Sequence, residues 1–308
     1  SPTQAQVDVA SGTTPYTLGF RKAFKATNGN QTSGAGAADA IQMSTRFEAQ
    51  YIAKSGWNYT DPNSEISLSF WVKSSIAQNF YVYLQTMDGT GQKYPFETGS
   101  LTADTWTKVT KTIPGNSNLQ FDDNNEVGIK IFIPQFLGTN YTDSGATLNA
   151  WGPYGSGDTR TPDFTSTWYT TNDATFEITG VQLEVDSVAT DFEFRSFAEE
   201  LQLCKRYFQV AGGTHWGATE GTTNYRLQVP LEPEMRVAPT VTVRSGHKFN
   251  TRDQNDVTIT DPTKSATTAK TRNIWTSVTT TGLSAGRPIM GRSQEGDLGD
   301  YLACDAEL

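Results

Sequence analysis

The chain has little of the chemistry on which most enzymes and metal sites depend. Among its 308 residues are two cysteines and two histidines. Cys204 and Cys304 are too few for a disulfide framework and too far apart for a metal motif, so we expect both thiols to be buried as small apolar side chains. His215 and His247 lack metal-ligand spacing, which argues against a zinc site and a histidine-based catalytic triad. The sequence therefore predicts a protein that holds no metal or cofactor and is not an enzyme.

Positive charge and long apolar runs are scarce as well. The 24 Lys and Arg residues stand against 33 Asp and Glu, which gives a net charge of −9. Because the basic residues form no patch that could displace counterions from phosphates, we expect no nucleic-acid partner. No stretch stays apolar over the roughly 20 residues that a membrane helix needs, so we expect no membrane insertion.

Glycine-rich phosphate loops and calcium loops are also missing. The run 122–126, DDNNE, is the nearest approach to a cation loop, but it lacks the glycine and the terminal glutamate of an EF-hand. We interpret it as a solvated turn, with a structural Ca²⁺ as the alternative.

What the chain has in abundance is sequence typical of β-structure. Aromatic residues make up 11% of it, and short alternating runs between Gly, Asn and Pro outnumber runs with a helical period. After an extended lead-in of fifteen residues, strands are predicted at 16–26, 41–51, 65–74, 79–87, 106–113, 126–133 and 175–185. Such a series is typical of a β-sandwich. Further strands are predicted at 224–229, 240–244, 257–260, 273–280 and 301–305, which indicates a second, smaller β-rich domain.

The segment 176–208 joins these two parts. Its apolar phase slips by one residue across Gly180, which predicts a β-bulge in the last strand of the sandwich. Ser196 is followed three residues later by Glu199, the spacing of a capping box at a helix start. The apolar side chains that follow recur at steps of four, three and four and predict one face of a helix, namely Phe197, Leu201, Cys204 and Phe208.

Alternation along the strands predicts which side chains point away from the core. Four aromatic residues fall on that side, and they would form a shallow platform with Lys130 at its edge if their strands share one sheet; they are Trp71, Tyr81, Tyr83 and Phe132. Flat aromatic rings beside polar groups suit sugar rings, so we predict a carbohydrate-binding surface. The alternative is that long loops fold over this face and bury the same rings.

The segment 137–175 is far longer than an ordinary connection. Its Tyr, Trp, Gly, Ser, Asn and Asp content is similar to that of antibody binding loops. The predicted contact residues in it are Trp151, Tyr154, Trp168 and Tyr169. The competing structural interpretation is a cover over the end of the sandwich, with an added edge strand near 166–170.

Several of these stretches together resemble a known family. EISLSFWVKSS, TWTKVTKTIPG, a tryptophan-containing loop and FEITGVQLEVDSVATDFEFRSFAEELQLCKRYFQV resemble bacteriophage tail-fibre and appendage virion proteins of environmental and cyanobacterial phages. The family pattern ITGVQLE…S.AT.FE.RS…EL.LC.RYF falls here on residues 178–184, 187, 189–190, 192–193, 195–196, 200–201, 203–204 and 206–208. The likeness covers residues 16–210 well and the C-terminal third more loosely, through PLEPEMRVAPTVTV and CDAEL.

The resemblance implies an architecture and a set of partners. The expected fold class is all-β: a jelly-roll β-sandwich of the carbohydrate-binding-module type over 1–195, a short linker helix over 196–208, and a β-sandwich-like domain over 209–308. The family likeness also implies a homotrimer on the phage particle that contacts other virion proteins. The chain begins with Ser1 rather than Met, and we expect further sequence upstream.

The functional hypothesis is a virion structural protein that contacts host-surface polysaccharide during attachment. Two alternatives stay open. One is a purely structural capsid-decorating or tail-assembly protein without a ligand. The other is a polysaccharide depolymerase built from distant carboxylates, because the separation of two carboxylates depends on the fold.

Overall fold

The computed structural model describes residues 1–31, 34–155, 157, 159–211, 215–219, 221–243, 248–250, 256–258, 268–269, 271–279, 285–286, 288–291 and 302–307. The chain divides into two compact units, Ser1–Glu193 and Phe194–Leu308. The division falls at residue 193 rather than 195, and the helix expected as a linker belongs to the second unit.

The described part of the first unit is built from ten strands and three short helices. The strands are β1 (Thr3–Asp8), β2 (Lys22–Thr27), β3 (Ala40–Glu48), β4 (Glu65–Ser74), β5 (Asn79–Thr86), β6 (Gln92–Ser100), β7 (Thr107–Pro114), β8 (Val127–Leu137), β9 (Gly152–Pro153) and β10 (Thr175–Glu184). The helices are α1 (Thr14–Thr17), α2 (Ala49–Ala53) and α3 (Thr167–Thr170).

These strands form two five-stranded antiparallel sheets. The β4 sheet has the order β1-β2-β10-β4-β7, and the β5 sheet has the order β3-β8-β5-β6-β9. Without the added strands β1 and β9, the sheet orders are β2-β10-β4-β7 and β3-β8-β5-β6, which is the double Greek-key order of a jelly roll. The predicted all-β jelly-roll sandwich is therefore confirmed.

The core lies between the two sheets, where the apolar rows predicted from alternation meet. Leu68 and Phe70 of β4 pack in one cluster with Phe80 and Val82 of β5 and with Ile129 of β8, and all five are 0% exposed. Each such side chain contributes about 1.5–3 kcal/mol by leaving water. This packing fixes which residues of the same strands face outward.

Two local expectations about the first unit were wrong, and one strand was not predicted. The expected lead-in contains β1, which extends the β4 sheet. β6 was not predicted; Pro95 lies within it, and proline normally argues against a strand. The edge strand expected near 166–170 is the one-turn helix α3.

The predicted bulge in β10 is confirmed. The pairing of β10 with β4 shifts register between Thr179 and Gln182, and Gly180 has φ 62°. A Cβ atom at this position would lie 2.6 Å from Cζ of Phe20. Glycine is therefore required by both the backbone conformation and the close approach of a ring.

We expect Gly180→Ala to destabilise the first unit by about 1–3 kcal/mol, because alanine is strained at this φ and its methyl group displaces Phe20. The matched control is Gly152→Ala, since Gly152 has an ordinary φ and no neighbouring atom within 4 Å. The measurement is denaturant unfolding of the full chain, followed by tryptophan fluorescence. Equal midpoints for the two variants would show that Gly180 is not constrained.

The second unit begins with a helix and continues with short strands. Its elements are α4 (Phe197–Lys205), β11 (Phe208–Ala211), β12 (His215–Thr219), β13 (Asn224–Pro230), β14 (Thr240–Val243), β15 (Lys248–Asn250), β16 (Asp256–Thr258), β17 (Thr268–Ala269), β18 (Asn273–Thr279), β19 (Pro288–Gly291) and β20 (Leu302–Asp305). They form sheets in the orders β11-β20-β14, β17-β18-β13-β12-β19 and β15-β16. The five strands predicted here are present within the described residues; predicted positions such as Arg244 and Tyr301 lie outside them.

The start of α4 confirms the predicted capping box. Ser196 accepts a hydrogen bond from the Glu199 amide, and Glu199 accepts one from the Ser196 amide. The helix ends earlier than predicted, so Phe208 opens β11 instead of extending the helix face. The burial expected of both cysteines holds for Cys304 and is wrong for Cys204, which is exposed because the face of α4 that carries it is not covered.

Among the helices of the described residues, none has the length and apolar character needed to cross a membrane.

Candidate functional site

Three of the predicted platform residues share the outer face of the β5 sheet. Tyr81 and Tyr83 lie on β5 and Phe132 on the neighbouring strand β8, where Tyr83 and Phe132 are direct cross-strand partners. Their rings stack with centroids 4.6 Å apart and an angle of 12° between the planes. The Tyr83 hydroxyl reaches across to Oε1 of Gln42 on β3, at 3.5 Å. Alternation of side chains along β5 and β8 puts both rings on the outer face, and the pairing of the two strands brings them together.

Trp71 is a correction, because β4 belongs to the other sheet. Trp71 packs, half-buried, against a small cluster on the outer side of the β4 sheet that includes Val9, Phe20 and Ala23. Alternation identifies the side of a strand that faces away from the core, but a sandwich has two such outer sides. The four-ring platform expected from the sequence therefore does not form.

The loop between β8 and α3, residues 138–166 and hereafter the covering loop, folds over part of the β5 sheet. Its backbone amides at Asn149 and Tyr154 donate to the carbonyls of Pro95 and Gly91, at 2.8 and 2.7 Å. Tyr81 meets the edge of the loop residue Phe164, with ring centroids 5.2 Å apart. The alternative in which loops bury the aromatic residues therefore holds for Tyr83, which is 1% exposed, but not for Phe132, which is half-buried.

The remaining predicted loop residues have mainly structural positions. Trp168 and Tyr169 are buried in and beside the core, so neither can contact a ligand, and their prediction as contact residues is corrected. Trp168 donates through Nε1 to the carbonyl of Thr175, and the Tyr169 ring stacks on Phe136 at 4.4 Å. Trp151 is half-buried against the core, with its Nε1 donating to the Pro114 carbonyl at 2.6 Å. The one-turn helix α3 turns the two aromatic residues inward, which the sequence pattern did not reveal.

Arg160 is a candidate site residue that the sequence did not single out. It follows a stretch of Gly, Ser and Asp with no periodic pattern, so no local signal marked it. Its guanidinium lies over the Tyr141 ring, 4.6 Å from the centroid, and its Nε donates to the Tyr154 hydroxyl at 3.4 Å. Burial raises the pKa of Tyr83 well above its ordinary value, while the Arg160 charge lowers it in part. Arg160 therefore lies beside the stacked pair at the border of the covering loop.

A row of basic side chains crosses the same outer face next to the stacked pair, two residues before Phe132 on β8. Arg46 on β3 is paired with Lys130 on β8, and Gln85 on β5 lies opposite both Lys130 and Lys93 on β6. Within the part of the chain that the structure describes, neither Arg46 nor Lys130 has an acidic partner. Burial and then the Arg46 charge lower the pKa of Lys130. We call Arg46, Lys130, Phe132, Tyr154 and Arg160 the basic–aromatic face.

A cleft of about 560 Å³ opens where β3 and β8 meet β2 and β10 at the side of the sandwich, and Gln42 and Ser44 of β3 are among its lining residues. Its lining is mainly apolar and includes Phe24, Phe47, Ile133, Ile178 and Val181. Among the residues that the structure describes, no charged side chain and none of the predicted contact residues lines it.

Comparisons with known proteins give weak similarities only. No family model and no curated protein matches the chain. One similar solved structure is the enzymatically active domain of bacteriophage CBA120 tailspike protein 4, with 9% identity, a TM-score of 0.30, and coverage of 60% of this chain and 19% of that one. A second contains the CBM22-1 and GH10 modules of Clostridium thermocellum xylanase 10B, with 10% identity, a TM-score of 0.30, and coverage of 67% of this chain and 28% of that one. A third is a Bacteroides thetaiotaomicron protein described as sugar binding, with 12% identity, a TM-score of 0.28, and coverage of 60% of this chain and 82% of that one. The chain thus spans about a fifth and about a quarter of the first two proteins. Similarity at this level assigns no function.

The buried phenol of Tyr83 predicts a loss of stability at alkaline pH. In the unfolded chain the group ionises near pH 10, and in the folded chain it stays neutral to higher pH. Its contribution is complete below pH 10 and is lost as pH rises from there towards the folded-state pKa, by up to about 1.4 kcal/mol per pH unit.

We therefore expect Tyr83→Phe to make the free energy of unfolding fall less steeply between pH 9 and 11. Urea titrations of the full chain at several pH values measure this slope. Tyr51→Phe is the control, because Tyr51 is 45% exposed. Equal slopes for wild type and Tyr83→Phe would contradict the burial of this hydroxyl.

Proposed function

We propose that this protein is a phage virion subunit, of a tail fibre or appendage, that contacts host-surface glycans through the basic–aromatic face. The observation that carries the glycan contact is a half-buried Phe132 stacked on a buried Tyr83. Lys130 and Arg46 lie beside this pair, and neither has an acidic partner among the described residues. Non-enzymatic binding requires only such a surface.

The stacked pair provides a place for one sugar ring. Tyr83 stacks on one face of the Phe132 ring, and Phe132 stays partly accessible, so little side-chain freedom is lost when a sugar's C–H face packs there. Ser44 is the exposed cross-strand neighbour of Phe132, and Gln42 is exposed beside Tyr83. Their polar groups lie where hydroxyls of the same sugar need hydrogen bonds.

The basic row favours acidic sugars. Two like charges directly opposite each other on a sheet are destabilising, and the Arg46–Lys130 pair has this arrangement. A carboxylate or sulfate placed between them removes the repulsion and accepts charge-assisted hydrogen bonds, which are stronger than neutral ones. The ligand class we propose is therefore a polysaccharide that carries uronic acid or sulfate groups.

The virion role is supported by the family resemblance of residues 16–210, which includes the segment that forms β10 and α4. The resemblance also supports a homotrimer that contacts other virion proteins. Several copies on one particle raise the avidity of a weak site by about 10² to 10⁴, so a shallow face is sufficient for attachment.

The glycan contact is tested with the double variant Arg46→Met and Lys130→Met. We expect its affinity for alginate, a uronic-acid polysaccharide, to fall about tenfold, because charge-assisted bonds are lost. Binding to alginate-coated and to dextran-coated surfaces is measured at several salt concentrations. The matched control is Lys108→Met, since Lys108 is exposed on the outer side of the β4 sheet.

Phe132→Ala separates stacking from charge, and we expect it to weaken alginate binding without changing the salt dependence. Unchanged binding in both the double variant and Phe132→Ala would overturn this face as the contact site. Shortening of the alginate chains during incubation would support the depolymerase alternative and contradict a purely binding role.

The virion location has its own prediction. An antibody against the chain should label the tail or its appendages in electron micrographs of the phage that encodes it, and protein-free buffer or an unrelated antibody should not. Labelling confined to lysed host cells, with none on purified particles, would contradict the virion proposal while leaving the glycan contact intact.

A further inference from the structure

The apolar side of α4 is exposed along the whole helix. Phe197 is 82% exposed and Leu201 38%, Cys204 is exposed too, and no residue of the helix is buried. These three residues, hereafter the α4 stripe, follow one another at steps of four and three, the spacing of the d, a and d positions of a heptad. Apolar residues aligned on one exposed helix face are typical of a surface that another surface covers.

The charges beside the stripe identify the surface that fits. With Phe197 and Cys204 at d, Glu200 occupies a g position and Lys205 the e position five residues later. In parallel, in-register helices, a g residue of one helix lies next to the e residue five positions later in its neighbour, so Glu200 of each copy would meet Lys205 of the other. In an antiparallel pair, Glu200 would meet Glu200 and Lys205 would meet Lys205, which is repulsive.

Glu200 is available for such a contact. Its present partner is Arg195, at 3.3 Å, and both side chains are more than half exposed, so this ion pair contributes little to stability. Glu200 can therefore leave Arg195 and pair with Lys205 of another copy at little cost in free energy.

We propose that the α4 stripe is a self-association surface, on which a second copy of this chain docks parallel and in register, held by Phe197 and Leu201 and oriented by Glu200–Lys205 pairs. Exposed apolar residues continue past the helix on one side of β11, at Phe208 and Val210, which are 42% and 39% exposed. The interface uses none of the basic–aromatic face, so it does not depend on the proposed glycan contact.

The first test is the mass of the full chain in solution, measured by sedimentation velocity over a range of concentrations. We expect the wild type to associate and Leu201→Asp to remain monomeric. Leu203→Asp is the matched control, because Leu203 is 44% exposed on the same helix but lies off the stripe. A wild-type chain that stays monomeric throughout, or equal loss in both variants, would overturn the proposal.

The second test determines the relative orientation of the two helices by reversing the charges at Glu200 and Lys205. Glu200→Lys and Lys205→Glu should each weaken association about fivefold, because attractive pairs become repulsive. The variant with both changes should associate like the wild type, since the lysine introduced in one copy then meets the glutamate introduced in the other. If the changes acted only by destabilising the helix, the double variant would associate most weakly of all, because each change opposes the helix dipole. That result would contradict the proposed pairs.

The third test uses Cys204 as a probe of register. In the parallel arrangement Cys204 faces Cys204 of the second copy, and mild oxidation with copper phenanthroline should join two chains by a disulfide. Cys204→Ser should abolish the product, because the other thiol, Cys304, is buried. Association without this crosslink would contradict the parallel register.

Discussion

The first unit depends on the packing of two apolar rows against each other, chiefly Leu68 and Phe70 on β4 against Phe80, Val82 and Leu84 on β5. Because side chains alternate along a strand, fixing the inner row also fixes the outer one. The stacked pair of Tyr83 and Phe132 is a direct consequence, and so is the row from Arg46 through Lys130 to Lys93.

Trp168 connects this packing to the covering loop. It fills the core from α3, with its backbone amide donating to Gln78 beside β5 and its indole donating to Thr175 at the start of β10. These bonds fix the end of the loop next to both sheets. At the same time Tyr154 and Asn149 tie the middle of the loop to β6 and its neighbouring turn. Arg160 is thereby held between Tyr141 and Tyr154, at the border of the accessible part of the β5 sheet.

Net charge and local charge differ in this protein. The chain carries −9 overall, yet Arg46 and Lys130 face each other on one surface. A summed charge decides long-range repulsion and solubility, whereas recognition depends on the field at one surface. Composition predicts the overall sign of the charge, but it could not show that a few cations from separate strands meet on one surface.

The sequence by itself determined what depends on short-range pattern: the strand positions of β4 and β10, the bulge at Gly180, the cap at Ser196 and the inward or outward direction of each strand residue. These features arise within a few residues of chain, where backbone sterics and alternation decide. Only the tertiary structure decided that Trp71 lies on a different sheet from Tyr83, that Trp168 belongs to the core, and that Arg160 lies beside the aromatic pair. It also showed that the α4 stripe, whose spacing the sequence displays, is left exposed. Sheet membership and loop position depend on contacts between residues far apart in the chain, for which the periodicity of a single strand or helix carries no information.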